Sequence, residues 1–284
     1  MHNNILFGIV IPTYNRMELL KRAVESVQKQ TYDNWLICIV DDHSKDATKT
    51  LLNQYDKEPQ IHYIQQASNQ GVNAARNIAL DYLINEKNCD FITFLDDDDY
   101  FDTNTLLEAQ EIIQKNPTKN WYVSKRIDDR DNDITRIDNF GVIPYIDYYL
   151  GITMDHDATH VVSSSLIENT RFSTQFKQAQ EWIFFMELST KSDMFTYDFP
   201  STICTYLDDG LSAHAKQLKY KKSDQDIAVE KLKKETLKQL GYKSATIEVM
   251  KLQHRILQSI QTKKYSKLLR YIPRYLYWKL RESV

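Results

Sequence analysis

The sequence predicts an α/β protein built on a doubly wound, mostly parallel sheet, with a basic helical extension at its C-terminal end. Three observations carry this. Short apolar runs of strand length recur without alternation, as strands covered on both faces do. Segments of helical period separate them, so the first hundred residues read β-α-β-α-β-α-β. The charge is also split. Residues 216–284 hold 18 Lys and Arg against 6 Asp and Glu, and residues 1–215 hold 18 against 33.

The elements follow in order. "ILFGIVI" (5–11) is the first strand. Residues 16–29 place Leu19, Leu20, Ala23, Val24 and Val27 on one helical stripe. "WLICIV" (35–40) is the second strand, and a helix over 46–55 starts behind Ser44 as N-cap. "IHYIQ" (61–65), a helix over 72–86 and "FITFL" (91–95) complete the parallel set. A helix near 103–115 and a strand "WYVSKRI" (121–127) come next. Residues 128–140 read as a polar loop or hairpin, 145–215 as mixed short strands and helices, and 216 onward as helices broken at Gly241.

Composition narrows the class. With 42% hydrophobic residues, the 284-residue chain can bury a real core. Cys38, Cys89 and Cys204 are far apart and odd in number, which points to buried thiols in a reducing compartment. No run of about 18 apolar residues marks a membrane span. The N-terminal "MHNNILFGIVIP" lacks a basic region, so no signal peptide is expected. A cytoplasmic protein is therefore predicted.

In an open α/β sheet, ligands bind beyond the carboxyl ends of the strands. Polar segments fall at all four ends: "PTYNR" (12–16), "DDHS" (41–44), "ASNQGVNAARN" (67–77) and "DDDD" (96–99). Each alone reads as well as a turn or a helix cap, Asn15 and the Asp41–Asp42 pair included. Four on one rim exceed what capping needs. Neither GxGxxG nor GxxxxGK[ST] occurs, so a pyrophosphate here would need a cation in place of a glycine cradle. Aspartates two apart suit Mg²⁺ or Mn²⁺. Asp42 is a candidate acceptor for a uracil imide, and Arg76 a fixed positive charge. The residues thus point to a metal-dependent nucleotide-diphosphate site.

The stretches "IVIPTYNRMELLKRAVESVQKQTYDNWLICIVDDHSKDAT", "NQGVNAARNIAL" and "FLDDDDYF" resemble the family 2 glycosyltransferases of GT-A fold. The likeness is strong over residues 5–115 and looser over 116–215. It implies a catalytic domain over 1–215, with a nucleotide-binding half (1–115) and an acceptor-side half (116–215), and an extension over 216–284. It implies that Pro12, Thr13 and Tyr14 border the nucleoside, with Arg16 beside them. Asp42 would bond the base and Asp41 support its turn. Arg76 would lie near the nucleotide, with Gly71 and Asn77 shaping that loop. The D-x-D motif maps onto Asp96-Asp97-Asp98. Asp98 would be the metal ligand and Asp96 the ribose-side or water-mediated one, while Asp97 would be a replaceable middle residue. Asp99 stays open between a supporting role and a helix cap.

Inverting transfer of a sugar also requires a base on the face opposite the leaving group. In the family this is an acid within an "ED" pair; here "KQAQEWIFFMEL" (177–188) puts Glu181 at that place and Gln180 before it. The competing reading makes Glu181 a surface acid on an amphipathic helix whose apolar side is Trp182, Phe184, Phe185 and Leu188. His214 falls where relatives close over the diphosphate and is a candidate metal contact. His156 and His160, four apart, have zinc spacing on a helix, but Val161 and Val162 favour a strand there. The basic tail, with its interleaved aromatics, suits an anionic membrane surface at the inner face of the plasma membrane, or packing and dimerisation; the acidic remainder argues against nucleic acid.

The expectation is an inverting, metal-dependent transferase. It would move a sugar from a nucleotide-sugar, UDP-linked by preference, to a glycan or lipid-linked acceptor in surface polysaccharide synthesis. The alternatives are a sugar-phosphate nucleotidyltransferase, whose glycine-rich loop is missing, and a decayed nucleotide-sugar-binding module.

Overall fold

The computed structural model describes residues 4–143, 154, 157–174, 181–205, 248–249, 252, 255–256 and 267–282. The chain divides into two compact units, 1–214 and 215–284. Gln180, His156, His214 and Gly241 lie outside the described residues.

The first unit is built on a nine-stranded sheet. Its strands are β1 (Phe7–Thr13), β2 (Trp35–Asp41), β3 (Ile61–Gln65), β4 (Phe91–Phe94), β5 (Tyr100–Phe101), β6 (Trp121–Asp128), β7 (Gly141–Ile143), β8 (Thr159–Ser163) and β9 (Met194–Cys204). The order is β3-β2-β1-β4-β8-β6-β9-β5, with β7 pairing β9. The four strands read first, β3-β2-β1-β4, are parallel as expected. Beyond β4 the sheet is mixed. β8 runs antiparallel to β4 and β6, β9 runs parallel to β6, and β5 and β7 run antiparallel to β9.

The non-alternating strands are explained by two apolar clusters, one on each face. Along β1, Phe7, Ile9 and Ile11 join the first cluster while Val10 joins the second; on β2, Ile37 and Ile39 part from Cys38 and Val40 in the same way. Helices α1 (Met17–Gln28), α2 (Thr48–Leu52) and α4 (Thr105–Lys115) cover the first face; α3 (Val72–Asp81) and α6 (Glu181–Ser189) cover the second. α5 (Ser164–Ile167) follows β8. At Gly8 the neighbouring side chains approach so closely that a Cβ would lie 2.8 Å from Ile92 Cδ1 and 3.1 Å from Cys89 Sγ. All three cysteines are buried free thiols, as expected.

Several local expectations change. The predicted helix over 72–86 is α-helical to Asp81 and then forms one π turn, Tyr82–Glu86. The helix over 46–55 shortens to α2 plus a 3₁₀ turn, Asn53–Tyr55. Ser44 does not cap it; its hydroxyl accepts from Asn15 N. Asp46 holds this corner instead, accepting from Thr48 N on Oδ1 (3.0 Å) and from Met17 N on Oδ2 (3.2 Å). One carboxylate thus satisfies the first turns of two helices. Asn15 is likewise no cap: it adopts a left-handed φ of 55° and its Oδ1 accepts from Lys45 N. Of the histidine pair, His160 lies in β8 and takes a hydrogen bond on Nδ1 from the Trp121 indole, stacked against Phe185. The strand reading holds there.

In the second unit, α7 (Leu268–Glu282) is helical through Pro273. Among the described residues no helix is long and apolar enough to cross a membrane.

Candidate active site

The parallel arrangement brings the carboxyl ends of β1, β2, β3 and β4 to one rim. β1 and β2 pair up to Thr13–Asp41, and β4 ends beside Val10. Three turns on this rim are left-handed: Asn15, His43 (φ 70°) and Gly71 (φ 91°). Only Gly adopts that conformation freely, and a Cβ at Gly71 would meet nothing within 4 Å. Backbone geometry rather than space sets its identity.

Asp41 and Asp42 build the rim. Asp41 accepts from Ser44 N (2.9 Å) and Gln65 Nε2 (3.0 Å), which supports the turn as expected. Asp42 reaches the next loop. Its Oδ1 accepts from Gln66 Nε2 (2.8 Å) and Gln70 N (2.7 Å), and its Oδ2 from Gly71 N (2.7 Å). One lone pair of Oδ2 is left for a ligand. Pro12 and Thr13 are buried at the end of β1, and the Tyr14 ring is 43% exposed.

The four aspartates after β4 differ sharply. Asp97 is buried and accepts from Thr13 Oγ1 (2.7 Å) and Arg16 Nη1 (3.1 Å). It ties the acidic turn to the end of β1, at the position where the sequence reading expects a replaceable middle residue. Asp98 takes Arg16 Nη1 at 2.8 Å, and its backbone carbonyl accepts from Arg22, whose guanidinium lies over Tyr100. Asp96 takes Arg76 Nη2 at 2.7 Å. Asp99 pairs with Arg126, and its Oδ1 accepts from Thr205 N (3.3 Å). It does not cap α4; it fastens the turn to β6 and β9.

Asp96, Asp98 and Asp99 each present an oxygen within 4.8 Å of one another. Glu181, at the first position of α6, sits 3.4 Å from Arg76 Nη1. Arg76 is buried and therefore bridges Asp96 and Glu181. Phe184, Phe185 and Leu188 are buried, as the amphipathic-helix reading expects, while the Glu181 side chain is 38% exposed and pairs with Arg76.

Burial pushes the Asp97 carboxyl up to about 6, against the pull of Thr13 and Arg16. Burial also drives Asp99 up to about 7, opposed by Arg126. Asp98 is raised by burial and by Asp96 beside it. Asp96 goes the other way: burial raises it, but Arg76 and Arg126 outweigh burial and hold it low. Glu181 is raised by burial, with Arg76 opposing. Four aspartates and Glu181 lie beside Arg16, Arg22, Arg76 and Arg126, and Arg126 also pairs with Asp157. Carboxylate oxygens are the donors that Mg²⁺ and Mn²⁺ prefer, so Asp96, Asp98 and Asp99 could hold such an ion.

Sequence reasoning missed Arg126 and Asn73 as organisers. Asn77 was expected to shape the Gly71 loop. It instead makes a two-way amide pair with Phe172, donating to its O (2.9 Å) and accepting from its N (2.8 Å), while Asn73 donates to Ser173 O (2.8 Å). α3 thereby holds the segment that leads toward α6.

Fold and site together define a sugar-nucleotide transferase architecture, and comparison with known proteins agrees. Residues 8–173, more than half of the chain, match the model of Glycosyl transferase family 2, so the chain belongs to that family. It is 27% identical over 193 residues to the GalNAc(5)-diNAcBac-PP-undecaprenol beta-1,3-glucosyltransferase of Campylobacter jejuni, covering 62% of this chain and 58% of that protein. It is 32% identical over 120 residues to the UDP-Glc:alpha-D-GlcNAc-diphosphoundecaprenol beta-1,3-glucosyltransferase WfgD of Escherichia coli, covering 42% and 46%. The matches thus span about half the length of these relatives. S. aureus TarS 1-349, in its complex with UDP-GlcNAc, has the same fold: TM-score 0.71, 17% identity, covering 96% of this chain and 79% of that one.

Proposed function

We propose that the protein is an inverting, divalent-metal-dependent glycosyltransferase that moves a sugar from a UDP-sugar to a hydroxyl of a glycan or lipid-linked glycan in surface polysaccharide synthesis. Family membership and the named activities of the relatives support the reaction class and the acceptor type. The observation that carries the mechanism is the bridge of Arg76 between Asp96 and Glu181. One buried guanidinium holds the acidic corner and the base in register.

In this reading Tyr14 and the free lone pair of Asp42 receive the base, with Pro12, Thr13 and Gly71 shaping its seat. Asp98, with Asp96 and Asp99, would hold Mn²⁺ or Mg²⁺, which supplies charge stabilisation to the departing diphosphate. Arg16 and Arg76 add fixed positive charge on the same side. Glu181 takes the proton from the acceptor hydroxyl as it attacks the anomeric carbon. Its raised pKa makes it a stronger base near neutral pH, and Arg76 keeps a charged partner beside it.

Calorimetric titration with UDP tests the reading. Binding is expected with Mn²⁺ present and is expected to be weak or lost with chelator. Asp98→Ala should lose the metal-dependent part. Absence of UDP binding under both conditions would sink the proposal.

A further inference from the structure

Arg126 is fixed at both ends of its side chain. Its backbone N donates to Thr135 Oγ1 (2.9 Å), and its carbonyl accepts from Ile134 N (2.9 Å) and Thr135 N (3.1 Å). Its guanidinium donates from Nε to Cys204 Sγ (3.0 Å), from Nη1 to Asp157 Oδ1 (2.5 Å) and from Nη2 to Asp99 Oδ2. Asp99 is engaged at both oxygens. The Cys204 thiol lies 3.6 Å from Oδ2, and Oδ1 accepts from Thr205 N (3.3 Å). Asp96 and Asp98 differ from it. Asp96 gives Oδ1 to Arg76 and Asp98 gives Oδ2 to Arg16. Among the described residues, the other oxygen of each takes no side-chain hydrogen bond. A cation entering the acidic turn thus finds an unshared oxygen on Asp96 and on Asp98, whereas at Asp99 it meets a carboxylate already held by a guanidinium.

We propose that Arg126 is a positioning residue that competes with the divalent cation for Asp99, so that the cation binds weakly until the nucleotide diphosphate completes its coordination. The inference rests on the sugar-nucleotide reading of this rim. Mg²⁺ and Mn²⁺ sites of this kind use one or two carboxylates and fill their remaining positions with water and substrate phosphate, and ligand charge sets how tightly the protein alone holds the ion. With Arg126 on Asp99, the third carboxylate is withheld and the phosphates are needed. Without Arg126, Asp99 is free to join Asp96 and Asp98, which lie within reach of the same ion. A guanidinium suits this role. It stays charged at any working pH, and its forked N–H groups grip Asp99 and Asp157 separately.

Titration of Mn²⁺ into the full chain, followed by calorimetry or by the EPR signal of unbound Mn²⁺, tests this without a donor sugar. The native chain should bind Mn²⁺ weakly alone and roughly tenfold or more tightly with UDP. Arg126→Gln should bind Mn²⁺ alone roughly fivefold more tightly than the native chain, and the gain that UDP brings should shrink. Damage to the fold would weaken the site, so a tighter site separates this role from a structural one. Adding Asp99→Asn should remove the gain, and Arg126→Lys, which restores a cation, should return the affinity toward the native value. Asp99→Asn alone gives a second measure should Arg126→Gln not fold. It should change nucleotide-free affinity by less than about threefold, where Asp98→Asn should lose it. The proposal is overturned if Arg126→Gln binds Mn²⁺ alone no more tightly than the native chain, or if Asp99→Asn costs as much as Asp98→Asn. A native chain that binds Mn²⁺ neither alone nor with UDP overturns the metal reading of the rim, and this proposal with it.

Discussion

Glu181 shares its guanidinium with Asp96, and this ties the proposed base to the acidic corner. Glu181→Gln keeps the shape and removes the proton acceptor. Transfer is expected to fall by roughly 10²–10⁴-fold while UDP affinity stays within a small factor; normal turnover by this variant would remove the base assignment. Asp97 tests a different kind of role. Its removal strands the Thr13 hydroxyl and one contact of Arg16 inside the fold. Asp97→Ala should cost about 1–3 kcal/mol in urea unfolding, whereas a spare middle residue would cost almost nothing. The four aspartates were legible as a group because they adjoin one another at a strand end. Their inequality was not, because Thr13, Arg16, Arg76 and Arg126 each approach from a distant element. Arg126 is 27 residues from Asp99, and no local pattern flags it.

At the scale of elements, α3 does more than cover the sheet. Its N-terminus carries Gly71 and receives Asp42, its middle supplies Arg76, and Asn73 and Asn77 hold residues 172–173. Asn77→Ala breaks both bonds to Phe172. We expect a loss of about 1–3 kcal/mol and faster amide exchange at Phe172, with turnover reduced more than UDP binding. Unchanged exchange at Phe172 would show that α3 does not restrain that segment. The helices and parallel strands were legible from period and burial, since an apolar run covered on both faces has a local signature. β5 was not. It is two residues long, and only its pairing with β9, about a hundred residues later, makes it a strand. The same holds for the mixed half of the sheet: strand direction depends on which distant edge a segment joins, and residue type does not encode it.

Across the whole molecule, charge and site are divided along the chain. The acidic first unit holds the proposed sugar-nucleotide corner, and the basic extension contains α7. The amino-acid sequence by itself determined the α/β class, the succession of the first four strands, the family, the polar rim at the strand ends and the charge split. Each follows from local periodicity or from motifs whose residues are close in the chain. Only the tertiary structure decided that Asp97 and Asp99 are braces buried against Arg16 and Arg126, and that Asp42 spends most of its lone pairs on its own loop. It likewise decided that Arg76 joins Asp96 to Glu181, 85 positions apart in the sequence. The physical reason is range. Hydrophobic period acts over a few residues. The partner of a buried charge is set by how the sheet folds back, because an unpaired charge in the interior costs too much to leave.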